Sequence, residues 1–264
     1  MGDGAVAACR KLYHIGGLLA TGGRAIRIHP FSSIGAHVQK TTLSRRFVVP
    51  DIHGCSRTLD RLLGEVIGLN RRDELYLLGD YIDRGPRSRE VLDILRALDL
   101  KGYRVRPVRG NHEEMFLNGC RDRNLFRVWI LNGGEATLES FGVEDPCEVP
   151  LPYRRFIEEM PCYRILPDFV LVHASLNFAL PDPFADREAM LWSRSLEVHR
   201  EAIGGRRLIG GHTPMTRSEI ERGLATDRIV LDNGCVFADR PGMGSLVALE
   251  LGSMTLFSQE NIDR

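Results

Sequence analysis

The sequence FVVPDIHG, residues 47–54, places a short apolar run directly before a polar loop. An apolar run that ends in turn-forming residues indicates a buried β-strand. Beyond the loop, Leu59, Leu62 and Leu63 begin a series of apolar residues with the spacing of one helix face. Ser56 stands at the position of a helix cap. The segment therefore predicts a strand, a loop and a helix, in that order.

The same order recurs twice further along the chain. Residues 75–78 form a second apolar run that leads into Gly79-Asp80, and residues 103–108 form a third that leads into a polar loop at 109–113. Alternating strands and helices predict an α/β fold whose loops leave the carboxyl ends of the strands, where open α/β sheets bind their ligands. We therefore expect the polar residues of the three loops to lie together.

The second half of the chain is predicted to be richer in strands. Residues 114–160 have a mainly helical pattern. Apolar runs bounded by turn residues predict further strands, at residues 169–172, 207–209, 228–231, 245–251 and 254–257. The predicted fold class is thus mixed α/β.

The charge of the chain excludes binding through a strong positive field. Lys and Arg number 35, Asp and Glu number 35, and the formal net charge is +0. Such a chain cannot hold nucleic acid or an anionic membrane by charge alone. We therefore expect no nucleic acid partner and no membrane association, and we expect a monomer.

The first 46 residues differ in composition from the rest. They hold seven bases against a single acid, Asp3, and they lack sustained periodicity. Segments rich in arginine and poor in acids are typical of organelle targeting peptides and also of flexible tails. We expect residues 1–46 to be a basic tail, flexible or targeting, and residues 47–264 to form the domain.

The cysteines and the apolar stretches indicate the compartment. Six cysteines are scattered without a Cys-x-x-Cys pair, and no secretory leader stands out. The longest uncharged stretch near the start, residues 12–23, is too short for a membrane span and contains glycines. These features predict reduced thiols and a cytoplasmic protein, unless residues 1–46 direct it to an organelle.

Carboxylates and imidazoles gather in the predicted strand-end loops. The candidate metal ligands are Asp51, His53, Asp80, Asn111, His173 and His212. Mixed oxygen and nitrogen donors suit Mn, Fe or Zn, whereas Mg and Ca prefer oxygen alone. Six ligands are too many for one catalytic ion that keeps a position open for water. The sequence therefore predicts two divalent ions, with Mn as the first choice.

A shared carboxylate would divide these ligands between the two ions. If Asp80 bridges, the first ion takes the ligands of the 51–53 loop, and the second takes Asn111, His173 and His212. A hydroxide held between two ions about 3.5–4 Å apart is a strong nucleophile near neutral pH.

Five motifs carry a resemblance to a known family. They are DIHG at 51–54, GDYIDRG at 79–85, GNHE at 110–113, LVHA at 171–174 and GHT at 211–213. In this order they resemble the motifs of the calcineurin-like metallophosphoesterases. The Asp-Arg-Gly and Asn-His-Glu forms are most similar to the phosphoprotein phosphatase branch in its compact bacterial and phage form. The resemblance covers residues 47–257, about four-fifths of the chain.

The resemblance implies a central β-sandwich flanked by helices, with a dinuclear metal site on loops at the strand ends. It also implies the ligand division given above, with Asp80 as the bridge. His112 matches the general acid that protonates the leaving alkoxide, and Asp83 matches the carboxylate that orients it. A serine or threonine alkoxide leaves poorly without a proton, and a nearby carboxylate raises the pKa of the imidazole that supplies it.

Two arginines are expected to hold the phosphate. Arg84 lies in the second motif, and Arg194, at the end of Leu-Trp-Ser-Arg, matches a weaker motif of the family. A guanidinium stays charged and binds two phosphate oxygens at once, so it stabilises the charge that grows in an in-line displacement. Asn111 is expected to contact the phosphate as well as a metal ion.

Two residues beside the motifs are interpreted separately. Pro50 stands where the family usually has glycine, and it removes an N–H from the turn before Asp51. Glu113 lies at the predicted start of a helix, so we interpret it as a charge at the helix N-terminus and leave it out of the metal site.

These features together predict metal-dependent hydrolysis of phosphomonoesters. The first hypothesis is a serine/threonine protein phosphatase that acts on phosphorylated protein or peptide, with a metal-bridging hydroxide as nucleophile and His112 as general acid. The alternative is a symmetrical bis(5'-nucleosyl)-tetraphosphatase. Asp83 and Glu113 favour the phosphatase, because those hydrolases tend to have other residues at both positions. A third hypothesis, an inactive scaffold, is disfavoured because no candidate ligand is missing.

Overall fold

The computed structural model describes residues 44–263, which lie within one compact unit. Residues 1–43 of the predicted basic tail lie outside the described residues. Arg45 and Arg46 belong to the folded domain, because the Arg45 guanidinium forms an ion pair of 2.6 Å with Asp73 and Arg46 begins the first strand. The folded domain thus includes Arg45 and Arg46, which were predicted to belong to the tail.

Nine strands are present in residues 44–263. They are β1 (Arg46–Val49), β2 (Glu74–Leu77), β3 (Arg104–Pro107), β4 (Tyr163–Ile165), β5 (Phe169–Val172), β6 (Arg207–Gly210), β7 (Arg228–Val230), β8 (Ser245–Glu250) and β9 (Thr255–Glu260). Every strand that an apolar run predicts is confirmed. Strand β4 was not predicted, because its residues are half-buried or exposed and form no apolar run.

Eight α-helices lie in the same residues. They are α1 (Ser56–Arg61), α2 (Ser88–Leu100), α3 (Asn111–Gly119), α4 (Arg123–Trp129), α5 (Glu135–Phe141), α6 (Leu151–Glu158), α7 (Arg187–Trp192) and α8 (Arg217–Gly223). Helices α3 to α6 confirm the helical character predicted for residues 114–160. Within the part of the chain that the structure describes, no helix is both long enough and apolar enough to cross a membrane.

The strands form two mixed sheets. The first has the order β3-β2-β1-β8-β9, with β1 parallel to β2 and antiparallel to β8. The second has the order β4-β5-β6-β7, in which β5, β6 and β7 are parallel. The predicted mixed α/β class is confirmed.

The two sheets pack face to face. Side chains alternate along β1, so Val48 joins the core between the sheets, whereas Phe47 and Val49 join the core beneath the helices. Val48, Leu171 of β5 and Ile209 of β6 are each 0% exposed. Burying one such side chain stabilises the fold by about 1.5–3 kcal/mol. This inner layer holds together the β-sandwich that the resemblance implies.

Helices cover the outer face of the first sheet. Leu59 of α1 and Leu92 of α2 are buried in the same core as Phe47. The sequence predicts that Ser56 caps α1, but this prediction is wrong, because Ser56 is the first helical residue. Its Oγ instead donates to the Glu90 carboxylate of α2 at 2.7 Å, which ties the two helices together.

Pro50 leaves the first loop intact. Strand β1 ends at Val49, so the N–H that Pro50 lacks lies just beyond the last strand residue. The N–H groups of Ile52 and His53 both donate to the carbonyl oxygen of Asp80, at 3.0 and 2.8 Å. The loop is therefore held by backbone hydrogen bonds that do not involve residue 50.

Candidate active site

The candidate site residues have unusual backbone conformations. Among residues 44–263, six non-glycine residues have a positive φ. Five of them are candidate site residues, namely His53, Asp80, Asp83, Arg84 and His212. A positive φ is unfavourable for a residue with a Cβ, and such residues cluster at functional sites. The fold therefore holds these side chains in place at a cost in backbone energy.

Asn111, His173 and His212 bring three donor atoms together. His173 Nε2 lies 2.8 Å from Asn111 Oδ1 and 3.1 Å from His212 Nδ1. Asp80 Oδ1 adds a fourth donor, 3.5 Å from His173 Nε2. His173 Nδ1 donates to the carbonyl oxygen of Leu78 at 2.8 Å. Because that bond fixes the proton on Nδ1, Nε2 has its lone pair free for a metal ion.

A second group of donors faces the other oxygen of Asp80. His53 Nε2 lies 3.6 Å from Asp80 Oδ2, and His112 Nε2 lies 3.9 Å from the same oxygen. His53 Nδ1 donates to the carbonyl oxygen of Ile82 at 2.9 Å, so the proton is on Nδ1 and the lone pair of Nε2 can accept a hydrogen bond or bind a metal ion. Asp80 thus presents one carboxylate oxygen to each group, and this position fits the predicted bridge.

Asp51 lies beside these groups and is oriented by the backbone. The N–H of His212 approaches both of its carboxylate oxygens at 3.1 Å. The compact donor groups are His53 with Asp80 and His112, and Asp80 with His173 and His212, so Asp51 lies outside both. Its role as a ligand of the first ion stays a prediction.

The buried carboxylates of the site repel one another. Burial raises the pKa of Asp51 well above its ordinary value, and the charges of Asp232 and Asp80 raise it further. Burial and the charge of Glu113 raise the pKa of Asp80 in the same way. A divalent cation would relieve this repulsion, so the charges of the site fit metal binding.

The imidazoles of the site are held neutral. Burial lowers the pKa of His53 and of His173 well below the ordinary value, and it lowers the pKa of His212 to about 4. Neutral imidazole is the form that binds metal ions. With the amide oxygen of Asn111 and the carboxylates, this donor set fits Mn, Fe or Zn.

His112 and Asp83 form a buried pair. His112 Nδ1 lies 2.7 Å from Asp83 Oδ2, and Trp129 Nε1 donates to the same oxygen at 2.7 Å. Thr137 Oγ1 donates to Asp83 Oδ1 at 2.6 Å. Burial raises the pKa of Asp83 to about 7, and the bonds from Thr137 and Trp129 oppose that rise.

The pKa of His112 shifts in the direction opposite to our prediction. The sequence predicts that Asp83 raises it, but burial and the charges of Arg84 and His212 lower it well below its ordinary value. The side chains of His112 and Asp83 are only 1% and 0% exposed, and burial disfavours both charges. The bond to Asp83 still orients the ring, so that Nε2 faces the metal-ligand groups.

Glu113 supports the site more widely than the sequence predicts. It lies at the start of α3, as expected, and accepts from the N–H of Gly110 at 2.9 Å. It also accepts from the N–H groups of Asp80 and Tyr81, both at 2.8 Å. One buried carboxylate therefore joins the loops that follow β2 and β3.

A cleft of about 270 Å³ is lined by Asn111, His112 and His212. Arg84 and Arg194, which are predicted to hold phosphate, line it too. The Arg84 Nη1 donates to His53 Nε2 at 2.7 Å, so its guanidinium lies against the first donor group. Arg194 is exposed, and its charge lowers the pKa of His212, which places it near the second group.

The cleft also contains residues that were not predicted to belong to the site. Arg240 adds a third guanidinium, and Trp192 and Phe237 provide aromatic walls. The Arg240 guanidinium lies 4.1 Å from the centre of the Phe237 ring. Phe237 and Arg240 could have been predicted only from their position, because they lie in the loop after β7 and the other site residues also follow strands.

Two facing sheets with histidine and aspartate groups on the strand-end loops are consistent with a metallophosphoesterase. The sequence model of the calcineurin-like phosphoesterases matches residues 45–234, and the chain belongs to that family. It is therefore a hydrolase of phosphoesters from a family that depends on divalent metal ions.

Named relatives include two kinds of enzyme. The chain is 31% identical over 179 residues to serine/threonine-protein phosphatase 1 of Salmonella typhimurium. The aligned region covers 65% of this chain and 79% of the relative. The chain is 30% identical over 241 residues to the asymmetrical bis(5'-nucleosyl)-tetraphosphatase PrpE of Geobacillus thermodenitrificans. The aligned region covers 80% of this chain and 92% of the relative.

A solved structure has the same fold. It is a protein serine/threonine phosphatase from Saccharomyces cerevisiae, with a TM-score of 0.60 and 15% identity over 85% of this chain and 82% of the other.

Proposed function

We propose that this protein is a serine/threonine protein phosphatase with two divalent ions, Mn in the first place and Fe or Zn as alternatives. The proposed ligands are Asp51, His53, Asp80, Asn111, His173 and His212. Bound ions of this kind neutralise phosphate charge and lower the pKa of the attacking water. The phosphorylated residue of a protein or peptide is the proposed substrate.

The residues of the chain supply the remaining steps. Arg84 and Arg194 hold the phosphate oxygens in the cleft, and Asn111 contacts them beside the second group. In its protonated form, His112 gives a proton from Nε2 to the leaving oxygen. Asp83 holds the ring through Nδ1, so that Nε2 points to that oxygen throughout the reaction.

The His112–Asp83 pair is the observation that carries this proposal. An alkoxide from serine or threonine is a poor leaving group and needs a positioned acid. A nucleotide that leaves with its charge on phosphate needs such an acid far less. The Asp83 carboxylate is fixed by His112, Trp129 and Thr137 at 2.7, 2.7 and 2.6 Å, so the chain devotes three buried contacts to orienting this proton donor.

Hydrolysis of dinucleoside tetraphosphates is the second candidate. It is favoured by the tetraphosphatase relative that covers 80% of this chain. The aromatic walls formed by Trp192 and Phe237 offer faces on which a base can stack. Three arginines line the same cleft, which gives it enough guanidinium groups to contact more than one phosphate.

The test compares two substrates under identical conditions. The protein is stripped of metal, supplied with Mn, and assayed against a phosphoserine peptide and against diadenosine tetraphosphate. We expect Mn-dependent release of phosphate from the peptide as the preferred reaction. Preference for the dinucleotide would replace the proposal by the second candidate, and its products, two ADP or ATP with AMP, would separate symmetrical from asymmetrical cleavage.

A variant tests the acid. His112→Asn should lower kcat for the peptide by about 10²–10⁴-fold, the usual contribution of a general acid. His199→Asn, at an exposed histidine that contacts Phe178 and Glu197, is the matched control and should leave kcat unchanged. Equal activity of the His112 variant and the control would reject His112 as the acid. Inactivity of the wild type on both substrates with Mn bound would favour the scaffold hypothesis.

A further inference from the structure

A second pocket, of about 400 Å³, is lined in part by residues that are close in sequence to those of the cleft. Its walls are mainly apolar and include Leu196, Val198, Met215 and Val230. Arg194 and Pro214 line the cleft. Leu196 lies two positions after Arg194, and Met215 directly follows Pro214. The same two chain segments therefore form walls of the cleft and of this pocket, which we call the side pocket.

Arg228 is the cation of the side pocket. It lines the pocket, and it is only 9% exposed. Its Nη1 donates to the carbonyl oxygen of Ile229 at 2.8 Å, and its Nη2 donates to that of Ala174. The Nε atom is buried without a hydrogen-bond partner.

Gly210 makes room for this guanidinium. A Cβ at position 210 would lie 2.7 and 2.8 Å from the two terminal nitrogens of Arg228. Strand β6 therefore has no side chain where the guanidinium crosses it to reach Ala174. Arg228 has a defined place in the fold rather than a chance position on the surface.

The charge of Arg228 has no counter-charge in the described residues. No ion pair of Arg228 with a carboxylate occurs there, and burial alone lowers its pKa to about 10, so it remains cationic at neutral pH. Two carboxylates do line the pocket, but each is engaged elsewhere. Glu219 accepts from Thr216 at 2.7 Å, and Asp227 pairs with Arg200 at 3.4 Å.

A buried cation without a counter-charge is costly, and a bound anion would offset that cost. We propose that the side pocket binds the carboxylate of an acidic residue near the phosphorylated residue of a peptide substrate. This inference rests on the proposed protein phosphatase activity. The apolar walls would pack on the aliphatic stem of a glutamate while its carboxylate meets Arg228.

The experiment scans a glutamate along phosphoserine peptides of one length. Each peptide carries a single Glu at one position on either side of the phosphoserine, and a matched peptide carries Gln there. We expect kcat/KM to be about tenfold higher for Glu than for Gln at one position, in keeping with a charge-assisted hydrogen bond. Turnover of p-nitrophenyl phosphate, which has no carboxylate, is measured alongside.

Two variants assign that preference to the side pocket. Arg228→Gln should bring the Glu/Gln ratio close to one. Leu196→Glu places a competing carboxylate at a wall residue that is 61% exposed, so it should fold normally and also abolish the ratio. Leu180→Glu, at a leucine that is 39% exposed and is not among the pocket residues, is the matched control and should keep the ratio.

The outcomes separate the two proposals. Peptides that are cleaved without a Glu preference at any position would overturn the side pocket and leave the phosphatase standing. A preference that persists in Leu196→Glu and in a folded Arg228→Gln would also overturn it. Turnover of p-nitrophenyl phosphate without cleavage of any peptide would reject the proposed phosphatase activity and the side pocket with it.

Discussion

Asp83 is the residue whose environment defines the proton donor. It is fully buried, and its carboxylate contacts His112, Trp129 and Thr137. Its pKa is raised to about 7 by burial, and the hydroxyl of Thr137 is the first of the hydrogen bonds that oppose this rise. Asp83 therefore sits at a balance between desolvation and hydrogen bonding that a single substitution can shift.

Thr137→Val tests this balance. Valine has nearly the same shape but cannot donate, so the pKa of Asp83 should rise further and the acidic limb of the pH–rate profile should move to higher pH. The lost bond to a buried carboxylate should also destabilise the fold by about 1–3 kcal/mol. Both effects are measured by pH-dependent kcat and by denaturant unfolding. Thr255→Val, at an exposed residue of β9, is the control, and an unshifted profile would contradict the role given to Thr137.

The sequence predicts individual site residues well when they lie in motifs. His173 and Asn111 are recognisable from their neighbours along the chain, and the structure brings them within 2.8 Å. Trp129 and Thr137 were not identified, because they contact Asp83 from positions 46 and 54 residues away. The positive φ at Asp80 and Asp83 is equally invisible in the residue types, since it results from the hydrogen bonds of the folded loops.

At the scale of the elements, the loops after β1 and β2 act as one unit. The N–H of Gly54 donates to the carbonyl oxygen of Tyr81 at 2.9 Å, and the N–H of Arg87 donates to that of Gly54 at 3.0 Å. Gly85 approaches His53 so closely that a Cβ there would overlap the His53 carbonyl oxygen. The strand–loop–helix pattern predicts each loop, but it does not predict this contact between the two loops.

Gly85→Ala should therefore move the His53 loop. A methyl group at this contact meets backbone rather than a flexible side chain, and overpacking of this kind costs about 1–3 kcal/mol. We expect lower stability and weaker Mn binding, measured by thermal unfolding and by calorimetric titration. Gly223→Ala, at the end of α8 with open space around it, is the control and should bind Mn normally. Normal Mn binding by Gly85→Ala would show that the contact does not position His53.

At the scale of the whole molecule, the site joins the two sheets. Asp51, Asp80 and Asn111 follow strands of the first sheet, whereas His173 and His212 follow strands of the second. Ions bound between these residues would link both layers of the sandwich. Binding to the folded state alone stabilises a protein by about 2.7 kcal/mol at about a hundred times the Kd.

This stabilisation should depend on pH. The pKa values of Asp51 and Asp80 are raised, so both carboxylates carry protons at low pH. A metal ion must displace these protons to bind, and fewer of them remain as the pH rises. The histidines are already neutral and contribute little to this dependence. The gain in Tm on adding Mn should therefore grow as the pH rises from acidic to neutral. Asp80→Asn should lose most of the gain, and a gain that falls with rising pH would contradict the assignment of these carboxylates as ligands.

The position of β8 has a consequence for how the protein is made. Strand β1 is the central strand of its sheet, yet its neighbour β8 comes from residues 245–250, far along the chain from β1. While the ribosome is still synthesising the preceding segments, one side of β1 has no partner, and an unpaired strand edge favours aggregation. Every metal-ligand candidate will have been synthesised before β8, since the last of them is His212. A nascent chain that stalls after the site residues would thus carry the ligand candidates on an unfinished sheet, and synthesis of β8 becomes the step that completes it.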